Sequence, residues 1–127
     1  KLLLVFDCGA VLNPANLHNQ LTGALIQGLG GALFEAVQHD RRQLLTKRLS
    51  RYRLPRFADL PAIEVHLIDR RDVTPAGAGV AGITLVAPAV ANAIFSLTGS
   101  RKRSLPLAAT PHSYSADPTA PRAAQNN

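Results

Sequence analysis

Apolar residues follow four different patterns along the 127-residue chain. The first is a solid run: "KLLLVFD" (1–7) predicts a buried strand entering a turn at Cys8-Gly9. The second has a helical period. Leu21, Leu25, Leu29, Leu33 and Val37 form one i,i+4 row, which predicts a helix over Gln20–Val37. Asn13 followed by Pro14 is a suitable cap and first-turn pair, so a helix or helical turn is expected to start there. The third pattern alternates: in "AIEVHLID", Ile63, Val65 and Leu67 face one way and Glu64 and His66 the other, as in a half-buried strand. The fourth, "PAGAGVAGITLVAPAVANAIFSLTG" (75–99), is a glycine-spaced turn running into a helix expected over Ile83–Leu97. Thr84, Pro88, Asn92 and Ser96 draw a thin polar stripe on that helix, and Gly99 is placed to cap it. A helix so apolar belongs in a core. "RKRSLPL" (101–107) predicts a last edge strand, and residues 38–60 read as a polar, basic connection held extended by Pro55 and Pro61. The expected class is α+β, two main helices packed on a small mixed sheet. One domain covers 1–107, and the aperiodic Ala/Pro/Ser/Thr/Asn stretch 108–127 is expected to be a disordered tail.

Beside the leucine row of the long helix runs a row of small residues, Ala24, Gly28, Ala32 and Ala36. A glycine inside a helix costs about 1 kcal/mol relative to alanine, and Gly23, Gly28, Gly30 and Gly31 accumulate here. Close approach of another backbone or of a flat ligand would offset that cost. Gln20 and Gln27 lie seven residues apart, nearly in line on the helix, each with an amide that both donates and accepts. Two glutamines on a solvated face are the ordinary alternative. Gly77 and Gly79 permit a tight reversal with positive φ. Such a turn aims backbone N–H groups and one side chain over the helix start, yet the side chain so presented is Val80, which neither donates, accepts nor titrates.

Composition narrows the picture. With 46% hydrophobic and 17% charged residues the chain is expected to fold, and its length suits one core. It starts at Lys1 and contains no Met, as expected for a fragment, a processed chain or an excised domain. No membrane span is expected, because Pro88 and Asn92 interrupt the apolar stretch well short of about 20 residues. The single cysteine, Cys8, excludes an internal disulfide, reads as a small buried thiol and leaves the compartment open. His66 lacks a second His, Cys or paired carboxylate at ligand spacing, so no metal site is expected.

The net charge of +6 is unevenly placed. Arg41, Arg42, Lys47, Arg48, Arg51, Arg53 and Arg56 fall within 16 residues, and Arg101, Lys102 and Arg103 form a second cluster. Nucleic-acid binding is disfavoured: only Tyr52 and Phe57 are interleaved, and no helix-turn-helix, zinc or RRM-type motif accompanies them. A solvated loop, or a surface facing acidic segments of a partner, is the better reading.

The order "FDCGAVLNPANLHNQLTGALIQGLGGALFEAV", "YRLPRFADLPAIEVHLIDR", "AGAGVAGITLVAPAVANAIFSLTGSRKRSLPL" resembles one family over roughly residues 2–107. It is similar to the C-terminal part of the molybdopterin-binding large subunit of the xanthine dehydrogenase and aldehyde oxidase family, in its bacterial isoquinoline-oxidoreductase-like branch. The resemblance implies a molybdenum cofactor of the molybdopterin type, in a subunit that works with iron–sulfur clusters on partner polypeptides. It also implies that the remainder of the large subunit and an iron–sulfur subunit are the partners. Gln20 matches the family glutamine near the pterin, and the glycine-rich helix with Gly23, Gln27 and Gly28 matches the segment packed close to the cofactor. Gly79 belongs to the family's Gly-Ala-Gly-Glu turn, whose glutamate acts as the general base. Here the glutamate position is Val80, so no catalytic residue is expected within this chain, and Ala81-Gly82 replaces the usual proline-bearing pair. The implied function is cofactor binding in a molybdenum hydroxylase acting on aldehydes or N-heterocycles. The alternative is a non-catalytic remnant or a structural or interaction fragment, ahead of a basic nucleic-acid-binding module.

Overall fold

A computed structural model of the chain describes residues 1–40 and 43–108. The elements run β1 (Leu2–Asp7), α1 (Pro14–Leu33), β2 (His39–Asp40), β3 (Gln43–Leu44), β4 (Ile63–Ile68), α2 (Ala81–Thr84) and α3 (Val86–Thr98). Single 3-10 turns at Leu49–Arg51 and Phe57–Asp59 punctuate the long connection. The α+β reading holds. The strands form two separate pairs: β1 and β4 run parallel from Leu2↔Ile63 to Asp7↔Ile68, and β2 and β3 pair antiparallel over two residues each.

Alternation decides which face of the parallel pair is covered. Leu2, Leu4 and Phe6 of β1, with Ile63, Val65 and Leu67 of β4, join the core cluster around Leu21, Leu25 and Leu29 of α1. Leu3 and Val5 point the other way and are exposed. β1 is therefore half-buried, not wholly buried as the solid apolar run suggests.

α1 starts at Pro14 because Asn13 caps it: the Asn13 Oδ1 accepts the Asn16 N–H at 3.0 Å. It stops at Leu33, short of Val37, because the Phe34 and Glu35 N–H groups both bond to the Gly30 carbonyl, each at 2.9 Å. Val37, the last member of the apolar row, lies beyond the helix and is exposed. The last helix is broken at Leu85 into α2 and α3, and Gly99 caps it in the left-handed conformation.

The edge strand expected over 101–107 does not form. Pro106 has no N–H to donate, and the Leu107 N–H is spent on the Ala32 carbonyl at 2.6 Å, which tucks Leu107 into the core at the end of α1. The tail from 109 lies outside the described residues, as do Arg41 and Arg42 of the basic cluster.

α2 and α3 pack on α1 through the small-residue row. A Cβ on Gly28 would lie 2.7 Å from Val86 Cγ2, and one on Gly82 would lie 3.1 Å from Ala24 Cβ. The row is a close-packed helix seam. Away from it the helix is bare: within α2 and α3 only Gly82 and Val86 are buried, while Leu85 and Leu97 are exposed. This corrects the expectation of a core helix, because too few elements are present to cover its other side. The stretch Ala81–Thr98 is also long and apolar enough to cross a membrane, at a mean hydropathy of 1.6 over 18 residues. Pro88 and Asn92 do not offset Ile83, Leu85, Val86, Val90, Ile94, Phe95 and Leu97, so the expectation that no stretch qualifies fails on length and composition.

Filling the seam tests it. Gly28→Leu is expected to lever α3 off α1 and to raise amide exchange across Val86–Thr98 at least about tenfold, with β1 and β4 little changed. Hydrogen-exchange mass spectrometry reads both regions, and unaltered protection in α3 would contradict the seam.

Candidate functional site

The carboxyl ends of β1 and β4 are stitched into one rim. Past β1, the Asp7 carboxylate accepts the Gly9 N–H at 2.9 Å and Cys8 is buried, as the sequence suggested. Four longer-range bonds then join this turn to the segment after β4. The Ala10 N–H donates to the Val73 carbonyl at 3.0 Å, Ala76 N–H to Cys8 at 2.8 Å, Arg70 N–H to Gly9 at 3.2 Å, and Val11 N–H to the Asp69 carboxylate at 3.0 Å. In open sheets with parallel strands, ligands gather outside this end of the strands.

Residues 75–80 leave that rim and lead directly into α2. Gly77 and Gly79 take φ values of +77° and +25°, so the reversal requires glycine. The turn is fixed to α1 by one side chain. Gln20 Nε2 donates to the Gly79 carbonyl at 2.8 Å, bridging 59 residues of sequence. Thus the structure brings together Gln20 and Gly79, two of the residues singled out from sequence. Val80 follows immediately and is 70% exposed, and its carbonyl accepts the Ile83 N–H at 3.0 Å.

Gly23 and Gln27 stand three and seven residues after Gln20, on the same exposed stripe of α1. A Cβ built on Gly23, Gly77 or Gly79 would meet nothing within 4 Å. The stripe and the turn together therefore frame open space edged by a side-chain amide. Gly28 does not join them: it is buried under Val86. The signal for that assignment is in the sequence, since Gly82 and Val86 repeat the four-residue spacing of Ala24 and Gly28.

Charged groups around the rim are paired and exposed. Arg70 contacts the carboxylates of Asp72 at 2.7 Å and Asp7 at 3.8 Å, and Arg71 contacts Asp69 at 2.8 Å. The Val11 backbone N–H and then Arg71 hold the Asp69 carboxyl below its usual range, and Arg70 does the same for Asp72. On the outer sheet face Glu64 is held low by Lys1 and then His66, whose Nε2 lies 2.6 Å from it. His66 is exposed, as expected. Among the described residues no group of three or more His, Cys, Asp or Glu is positioned to hold a metal ion.

Residues 1–61 match the model of the molybdopterin cofactor-binding domain family. The matched stretch thus belongs to a class of domain that binds an organic cofactor. More particularly, the chain belongs to the molybdenum-binding large subunits of the xanthine dehydrogenase and aldehyde oxidoreductase type. It is 34% identical to one subunit of the nicotinate dehydrogenase of Pseudomonas putida over 109 residues, 86% of this chain and 9% of that protein. It is 36% identical to the beta chain of the isoquinoline 1-oxidoreductase of Brevundimonas diminuta over 101 residues, 80% of this chain and 13% of that one. The structure resembles quinoline 2-oxidoreductase from Pseudomonas putida 86, with a TM-score of 0.70 and 27% identity, over 80% of this chain and 14% of that one. The chain thus spans a small part of the length of the relatives it matches.

The rim should open in acid. The Asp69 carboxyl is held low in the folded chain, so the Val11–Asp69 contribution is fully present above the ordinary aspartate pKa of about 4. It is lost as pH falls through the lower folded value. The Val11 amide is expected to become exchange-labile in that window, and Asp69→Ala, which removes the acceptor, to make it labile already at neutral pH. Nuclear magnetic resonance exchange measurements check both; a Val11 amide unaffected by the substitution would refute the link.

Proposed function

We propose that this chain is a cofactor-binding portion of a molybdenum hydroxylase subunit, and that the pterin part of the cofactor lies against Gln20, Gly23, Gln27 and Gly79. The Gln20–Gly79 bond carries the reading, because it brings the exposed stripe of α1 and the glycine turn to one place. The residues fit such a group. The space beside Gly23, Gly77 and Gly79 admits a flat ring system, and Gln20 keeps a second N–H and its carbonyl oxygen for hydrogen bonds. Gly28 is placed to support the wall through the α1–α2/α3 seam.

When bound, the cofactor supplies oxygen-atom and hydride chemistry toward an electron-poor carbon. The names of the relatives, which act on nicotinate, isoquinoline, quinoline and aldehydes, support an aromatic N-heterocycle or an aldehyde as the substrate class. What this chain's own residues do is narrower: they bind, orient and fix the turn. Val80 sits at the family's general-base position and moves no proton. A positioned base is worth on the order of 10²- to 10⁴-fold. A second reading, a non-catalytic remnant, is favoured by that same valine. In the first reading the bare side of α3 and the exposed Leu3 and Val5 are covered by the remainder of the large subunit, and electrons leave to an iron–sulfur partner.

Assembly with the missing subunit portions separates the readings. Gln20→Leu is expected to lower molybdenum content several-fold, measured by plasma mass spectrometry, because the turn is released. At equal metal loading the native chain should turn over N-heterocycles and aldehydes poorly, and Val80→Glu should raise turnover by about 10²-fold or more. Robust activity with valine in place would overturn the missing-base reading. Unchanged metal content in Gln20→Leu would overturn the cofactor contact.

Alone, the full chain is expected to self-associate through its bare helix and sheet faces, since exposed apolar surface of that extent rarely stays unpaired. Light scattering that finds a stable, cooperative monomer would count against those faces being an interface.

A further inference from the structure

At the opposite end of α1 from the glycine turn lies a groove that the cofactor reading does not use. Its main cleft, about 940 Å³, runs between Leu33 and Phe34 at the helix end and the segment 45–56. A second hollow of about 220 Å³ continues it past Lys47 and Arg48, sharing Thr46, Leu49 and Tyr52. Lining side chains include Lys47, Arg48, Arg51, Arg53 and Arg56, and no carboxylate lines either part among the described residues. Large apolar side chains stand beside these cations. Leu49 is 91% exposed and neighbouring Phe57 is 95% exposed, and Leu44 and Leu54 are exposed as well.

The walls of this groove are built. Tyr52 Oη donates to Glu35 Oε2 at 2.9 Å, tying the segment to the helix end. Arg53 stacks at 3.9 Å over the Phe34 ring and pairs with Asp59 at 3.2 Å. Asp59 also accepts the Arg56 backbone N–H at 2.9 Å. These contacts fix cations and aliphatic groups in one strip instead of leaving them on a loose loop.

We infer that this groove docks an acidic segment of a partner polypeptide that also carries aliphatic anchors. Charge complementarity selects the acidity, and the bare leucines select the anchors. Among the described residues a second copy of this chain does not supply that charge. Asp7, Glu35, Asp59, Glu64, Asp69 and Asp72 are engaged within the fold, and Asp40 has a partner too. Nucleic acid is the poorer match. Phe34 is already covered by Arg53, which leaves Phe57 as the one widely exposed ring near the groove for stacking bases among the described residues. The inference does not rest on the cofactor reading, since it concerns the other end of α1.

The test uses the full chain and fluorescein-labelled probes: a Glu-Glu-Leu repeat peptide, its Gln-Gln-Leu and Lys-Lys-Leu counterparts, and a single-stranded DNA of matched charge. Anisotropy should report binding of the Glu-Leu peptide in preference to the rest, weakening about tenfold or more between about 50 and about 500 mM salt. Joint reversal by Arg48→Glu and Arg56→Glu should weaken it by about tenfold beyond the same double reversal at Lys102 and Arg103. Leu49→Asn should weaken it at every salt concentration. Equal affinity for the Gln-Leu peptide, tighter binding of the DNA, or equal effects of the two double reversals would each overturn the proposal. Far-ultraviolet circular dichroism confirms that the variants are folded, and the peptide series decides the matter without any variant.

Discussion

Two helix backbones can approach closely only where no side chain stands between them, and the architecture of this chain follows from one such place. Gly28 admits Val86, and Gly82 admits the methyl of Ala24. Because both contacts recur at four-residue spacing, α2 and α3 are seated in fixed register on α1. That register places the turn before α2 beside the first half of α1, where Gln20 reaches the Gly79 carbonyl. Without the seam the glutamine and the turn would have no reason to meet, and Gly28 would remain an uncompensated cost of about 1 kcal/mol.

The parallel pair supplies the second boundary condition. Parallel strands cannot be joined by a tight hairpin, so the chain must travel from β1 to β4 and return at the opposite end. Here α1 fills part of that crossover and covers one face of the pair. The two loops emerging at the carboxyl ends are thereby neighbours. Backbone bonds from Ala10, Arg70 and Ala76, with the Asp69 carboxylate on Val11, convert that proximity into a single rim. The rim in turn delivers residues 75–80 to the head of the seam. Sheet, rim, turn and helix seam form one chain of causes that ends at Gly79 and Val80.

Much of this was legible in the sequence, and the limits have physical origins. The leucine row of α1 and the alternation of β4 were readable because burial on one face imposes a period. The end of α1 was not, since Val37 continues the period while the Gly30 carbonyl draws two N–H groups and stops the helix. The small-residue row was visible, but the sequence left open whether a ligand or a backbone filled it; the answer lies more than 50 residues away in Gly82 and Val86. The strand expected over 101–107 failed because a local pattern cannot reveal that Leu107 bonds to Ala32. The brief β2–β3 pair carried no signal, being two residues on each side. At the site, Gln20 and Gly79 were singled out separately, and only the fold shows that they touch.

The surface left uncovered is informative because it is not uniform. Along α3 and the outer side of β1 it is apolar, as expected where a continuous core has been cut across. Around the groove at the end of α1, cations and leucines alternate within a few residues, and the contacts of Tyr52, Arg53 and Asp59 hold them there. An apolar face of the first kind is satisfied by any close-packed neighbour. A mixed face of the second kind is satisfied only by opposite charge placed beside aliphatic groups, so it discriminates among neighbours. The turn with Val80 is a third kind of surface, open because of glycine and polar through backbone and amide alone. The three surfaces lie on different parts of a small scaffold, and their chemistries differ enough that one occupant would not satisfy all of them. On the proposed assignments the fold divides its contacts among a covering body, an acidic segment and a flat cofactor, with α1 as the element common to all three.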